Sequence, residues 1–173
     1  LAALIGEKGE VACIPFVPGA ATSIMREQGF REEIKSYSSI KLVAVQYSQS
    51  DVATAMAVTE DILTAHRNLA GIFAANEAGT LGVMRAIKTR GLAGKVKVVG
   101  FDASDDEVNG LREGLVQALI VQDPFKMGYL GVKYAVDAIN GKEVSKRVDT
   151  GVFVVTRENL EMEEIQRVLH PFP

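Results

Sequence analysis

The run VKVVGFD, residues 96–102, decides the fold. From Val98 to Phe101 it is continuously apolar rather than alternating, which suits a strand covered on both faces, and it stops at Asp102. Working outward, the same grammar recurs in LAGIFAA (69–75), VQALIV (116–121), IKLVAVQY (40–47) and EVACIPF (10–16). These runs begin at residues 10, 40, 69, 96 and 116, so successive starts lie 30, 29, 27 and 20 residues apart. That interval is about one strand plus one returning helix.

The intervening segments read as helices. Residues 52–66 place Ala55, Val58, Ile62 and Ala65 on one face, with Ser50 and Asp51 available as caps and Asn68 beyond the end. Residues 77–90 repeat the pattern through Leu81, Met84 and Ile87 and stop at Gly91. Residues 104–113 open on Ser104, Asp105 and Asp106, which favour a helix N-terminus, and close at Gly114. Residues 123–140 carry Pro124 at the first helical position, Gly141 just past the end, and an apolar stripe of Gly128, Val132, Ala135, Val136 and Ile139. The polar stretch 141–149 reads as a connector, 150–156 as a further strand and 159–169 as a terminal helix. The expected fold is α/β: a doubly wound parallel sheet in a three-layer α/β/α sandwich.

Composition narrows the function. The chain has 173 residues, 47% of them hydrophobic and 24% charged, which is ordinary globular usage. A net charge of −3 lacks the basic excess of a nucleic-acid binder, so nucleic acid is not an expected partner. No apolar stretch approaches the length of a membrane span. Cys13 is the single cysteine, excluding an internal disulfide and a multi-cysteine zinc site; it sits inside a strand and reads as a buried, inert thiol. His66 and His170 are not spaced as a ligand pair, and neither phosphate-binding glycine fingerprint occurs. No catalytic constellation, metal site or cofactor is expected. The sequence opens on Leu1, in what reads as the middle of a helix, with no Met and no signal-peptide pattern; a fragment of a longer chain is the expectation.

In an open parallel sheet, ligands bind beyond the carboxyl ends of the strands. Those ends carry Pro18 to Ser23 and then Arg26, Gln46 to Asp51, Asn76-Glu77, Asp102, and Gln122-Asp123. Amides donate and accept, a carboxylate accepts, and a guanidinium donates in a fork, so the set suits a neutral polyhydroxylated ligand. Each residue alone has a plainer alternative. Asn76 and Asp102 could be helix N-caps, Gln122 a turn residue, Thr22 and Ser23 caps, and Arg26 an ion-pair partner of Glu27 or Glu33. Their convergence is what points to binding.

The segments REQGF (26–30), ILTAH (62–66), IFAANE (72–77), VVGFD (98–102) and VQDPFKMG (121–128) resemble, in order and spacing, those of ribose-type periplasmic sugar-binding proteins, the solute receptors of ABC importers. VVGFD is shared with sugar-responsive repressors of the lactose-repressor type, whose effector domain is the alternative reading; QDPFKMG favours the transport receptor. A small enzyme or receiver domain fits less well, because a receiver needs clustered acids and a Lys at the last strand end, where this chain has Gln122. The resemblance implies that Arg26, Asn76, Asp102 and Gln122 bind a sugar or related polyol. Ser50 stands where ribose binders of the family often carry an aromatic, so a ligand other than ribose is implied. It further implies a carboxyl-terminal lobe over residues 1–122, a segment 123–149 that crosses to an amino-terminal lobe missing here, and a returning strand and helix over 150–173. The implied partners are that lobe and a membrane permease, and the implied location is periplasmic. Without the missing lobe, the 123–140 helix would expose its stripe and invite self-association.

Overall fold

The computed structural model describes residues 1–171. Six strands form one sheet: β1 (Gly9–Ile14), β2 (Ile40–Val45), β3 (Leu69–Ala74), β4 (Lys97–Phe101), β5 (Ala118–Gln122) and β6 (Val152–Val155), in the order β2-β1-β3-β4-β5-β6. The helices are α1 (Ala21–Lys35), α2 (Val52–Ala65), α3 (Glu77–Thr89), α4 (Asp105–Glu113), α5 (Pro124–Ile139) and α6 (Glu163–Leu169). The first five strands pair in parallel. Consecutive residues of each central strand enter opposite cores, as the two-residue period of a strand requires. Ile72 and Ala74 pack with Ile62, Val83, Ile87 and Leu111 from α2, α3 and α4. Phe73 and Ala75 face the other way, where Phe30 of α1 stacks on Phe73 with ring centroids 5.1 Å apart. Burial of both faces produced the unbroken apolar runs in the sequence.

The α/β layers match the expectation, and four details differ. The sheet is mixed, because β6 runs antiparallel to β5, with Gln122 opposite Val152. Residues 123–151 leave the sheet and re-enter it at the same end, and a strand re-entering there can only run backward along its neighbour. Thr22 and Ser23 do not cap α1: Ala20 holds the N-cap position, and the Ser23 hydroxyl accepts from Phe16 N at 3.2 Å. Where a helix was expected around Leu1, there is a single 3-10 turn over Ala3–Ile5, followed by left-handed Gly6. The terminal helix is also shorter than its sequence pattern, starting at Glu163.

α5 stands apart. None of its residues is buried, and Val132, Val136 and Ile139 are 68%, 49% and 84% exposed. The helix is well built locally, since Asp123 caps it by accepting from Lys126 N at 2.8 Å and Pro124 occupies its first turn.

Glycine marks where layers touch. A Cβ on Gly82 would lie 2.4 Å from Ala55 Cβ and 2.7 Å from Val52 O, so the α2–α3 contact is a backbone-to-backbone approach. A Cβ on Gly128 of α5 would meet nothing within 4 Å. Gly82→Ala is therefore expected to cost about 2–3 kcal/mol by overpacking. Gly128→Ala should add about 0.5–1 kcal/mol through helix propensity alone. Urea denaturation of the two variants checks the opposite signs.

Candidate functional site

The carboxyl ends of β1, β3, β4 and β5 converge on one edge, on both sides of the point where strand order reverses between β1 and β3. At its centre lies Arg26, from the second turn of α1. Its Nη1 donates to Ala75 O at 2.7 Å and its Nη2 to Gln122 Oε1 at 3.2 Å, so one side chain ties the ends of β3 and β5. The guanidinium carbon lies 3.5 Å from the centroid of the Phe101 ring, with Phe16 5.5 Å away. A cation over an aromatic face gains from the ring quadrupole, and the planar group is fixed in orientation. Partial burial pulls Arg26 below the usual guanidinium range, and the neighbouring Asp102 carboxylate works against that pull.

The ion-pair alternative for Arg26 fails because its acidic neighbours are otherwise engaged. Glu27 accepts from Arg31 Nε and from Tyr47 OH, each at 2.7 Å, and Glu33 accepts from Tyr37 OH at 3.1 Å. Burial would raise the Glu27 carboxyl, but the bonds from Tyr47 and Arg31 outweigh it and hold the group below the ordinary carboxylate range. Cys13 lies within β1, fully buried, and burial pushes its thiol up to about 12. It is no nucleophile.

Asp102 follows Phe101 directly and adopts φ of +81°, a left-handed conformation uncommon for any residue but glycine. It does not cap α4; that position belongs to Ser104. Its Oδ2 instead accepts from Glu77 N, the first residue of α3, at 3.3 Å. Asn76 does act as a cap, its Oδ1 accepting from Gly79 N at 3.0 Å, and its amide nitrogen donates to Ser50 Oγ at 2.9 Å. The cap and the rim are thus the same residue. Ser50 and Gln49 both have positive φ, which turns the β2–α2 loop toward Asn76. Asp51 is spent on capping α2, accepting from Thr54 N and Oγ1 at 2.7 Å each.

The five residues thus lie along the same rim: Ser50 bonded to Asn76, Asp102 to the backbone of Glu77, and Arg26 to Gln122, with Asp102 as its charged neighbour. All five are half-buried or exposed. The Phe101 platform escaped the sequence reading because an aromatic in a strand reads first as core; the signal was its place immediately before Asp102. Chemically, the rim offers fixed guanidinium, amide and hydroxyl donors and a carboxylate acceptor, with an aromatic floor under the cation. Beside it, Asp102, Gln122, Met127, Val168 and Leu169 help line a cavity of about 380 Å³ that reaches toward α6.

Comparison with known proteins bears on the family and the fold. Residues 1–143 match the family described as periplasmic binding protein domain. The chain is 30% identical over 156 residues to a ribose import binding protein of Haemophilus influenzae, covering 90% of this chain and 52% of that protein. It is 36% identical over 132 residues to the D-allose-binding periplasmic protein of Escherichia coli, covering 76% and 42%. An ABC transporter solute-binding protein of Agrobacterium vitis with bound D-fucose superposes with a TM-score of 0.92 at 39% identity, over 98% of this chain and 58% of that one. A second from the same organism, bound with α-D-tagatopyranose, gives 0.94 at 32% identity, over 97% and 56%. The chain spans about half the length of the curated relatives it matches. With the family profile matched over most of its length, the chain belongs to the periplasmic binding protein domain family.

Proposed function

We propose that this chain is the carboxyl-terminal-lobe half of an extracytoplasmic receptor that delivers a neutral sugar or related polyol to the permease of an ABC importer. The observation that carries the reading is the Arg26 guanidinium, laid on Phe101 and tied to Ala75 and Gln122, with Asp102 beside it. That arrangement spends two donors on the protein and leaves the remaining guanidinium donors next to a carboxylate acceptor, a pairing suited to adjacent hydroxyls. In this reading Arg26, Asn76, Asp102, Gln122 and Ser50 contact the ligand, residues 1–122 form the lobe, and residues 123–149 cross to the other one. The ligand is sealed by hinge closure about the crossings near Gln122 and Asp149, and no bond is made or broken. The effector domain of a lactose-repressor-type regulator would use the same layers, but the relatives described above are import and solute-binding proteins, which favours transport.

Half a cleft binds poorly. Isothermal titration of the 173-residue chain against a panel of neutral sugars is expected to show no binding in the micromolar range. A longer form carrying the second lobe should bind one of them, with Arg26→Ala weakening it by about 100-fold, as the loss of charged hydrogen bonds implies. Micromolar binding by the chain alone, or an Arg26→Ala variant with unchanged affinity, overturns the assignment.

The α5 stripe fits a helix built to be covered. In the receptor the amino-terminal lobe covers it; in the chain alone a second copy does. Analytical ultracentrifugation should find concentration-dependent self-association that Val132→Glu abolishes. A clean monomer whose α5 amides are strongly protected from hydrogen exchange contradicts this.

A further inference from the structure

Glu107 is fully buried at the third position of α4. Its Oε2 accepts from Ser104 N at 2.8 Å and from Ser104 Oγ at 3.0 Å. Its Oε1 is enclosed and has no hydrogen-bond partner. A carboxylate in a capping box ordinarily keeps its second oxygen in water; here that oxygen is dry, and a dry unpaired charge is costly. Placing a proton on Oε1 exchanges the dry charge for an unpaired hydroxyl, which costs less, and leaves Oε2 free to accept both Ser104 bonds.

Two residues upstream of Ser104 is Asp102, in its left-handed conformation. A strained residue persists only where its surroundings hold it. Asp102 is held on one side by its own N–H donating to Ile120 O at 2.9 Å and by Glu77 N donating to its carboxylate, and on the other by the Ser104–Glu107 clamp. We propose that Glu107 is a positioning residue for the rim: its buried carboxyl, in the protonated form, clamps the turn that carries Asp102, and losing the proton releases that turn. The inference rests on the sugar-binding reading only for what Asp102 does, not for the clamp itself.

The charged groups around Glu107 favour the neutral form. Asp102 faces it from the turn and Glu77 from the start of α3; Asp105 and Asp106 precede it on α4. Arg85 and Lys88 of α3 lie further along the α3–α4 groove, and His170 lies beyond Asp105 on the α6 side. Burial pushes the Glu107 carboxyl up to about 7, the Ser104 bonds pull the other way, and Asp102 and Glu77 push it further up. The native state therefore holds a proton that the unfolded chain, near 4.5, has released. Stability is full below the unfolded value and is lost as pH rises through that window toward about 7.

The test needs no sugar, so it is separable from failure of the receptor reading. Urea midpoints of the 173-residue chain and of Glu107→Gln, both in a His170→Gln background, are followed from about pH 5 to about pH 8. The Gln variant keeps an acceptor for Ser104 and cannot ionise, so its advantage over the parent should grow as pH rises. Glu107→Ala, which loses the clamp, should be weaker at every pH. The Glu77 amide resonance, which reports the Asp102 carboxylate, should titrate in the parent with a midpoint near 7 and stay still in Glu107→Gln. Parallel pH profiles for parent and Glu107→Gln, or a Glu77 amide that moves identically in both, overturns the proposal. Should neither variant fold, a parent Glu77 amide with no inflection in that range overturns it as well.

Discussion

Parallel strands deliver their carboxyl ends to one edge, and here that edge is held by a cation. Arg26 reaches from α1 to Ala75 at the end of β3 and to Gln122 at the end of β5, and rests on Phe101 of β4. Three neighbouring strand ends are thereby fixed to a helix on one side of the sheet. The Phe101 ring supports the guanidinium from one face, with the Asp102 carboxylate as its charged neighbour. Two of the acids within reach on α1 are occupied elsewhere, Glu27 by Arg31 and Tyr47 and Glu33 by Tyr37. The rim depends on those satellite bonds as much as on its own.

The layers follow the same economy of elements. α2, α3, α4 and α6 pack one face of the sheet and α1 the other, with Phe30 on Phe73 as the principal aromatic contact. Close approach of α2 and α3 at Gly82 brings the N-terminus of α3 alongside the β2–α2 loop, where Asn76 can bond both Gly79 and Ser50. One residue then both starts a helix and stands at the strand-end rim, so the cap and the rim position coincide.

Much of this was legible in the chain. The apolar runs marked the strands because burial on both faces leaves no alternation, and the rim residues are those that stand just beyond the strands' carboxyl ends. What stayed hidden depends on distance in space. The reversal of β6 comes from where residues 123–151 re-enter the sheet, which no local pattern records. Ala20 caps α1 with no side-chain bond, so its sequence has no cap signal, while Ser23 looked like one and bonds Phe16 instead. The plainer alternative for Arg26 was an ion pair with its sequence neighbours Glu27 or Glu33, yet the groups it touches are Ala75, Phe101 and Gln122, distant in sequence. Glu107 was passed over because acids at a helix start are ordinary; only its enclosure makes it unusual.

Gln122 and Val152 sit side by side where residues 123–151 depart and return. Anything carried by that loop is suspended from two adjacent points, and a body hung from two points swings about the line through them while resisting displacement along it. Gln122 is one of those points and also an acceptor for Arg26. Through Gln122, the point where residues 123–151 are suspended from the sheet is bonded directly to the Arg26 guanidinium.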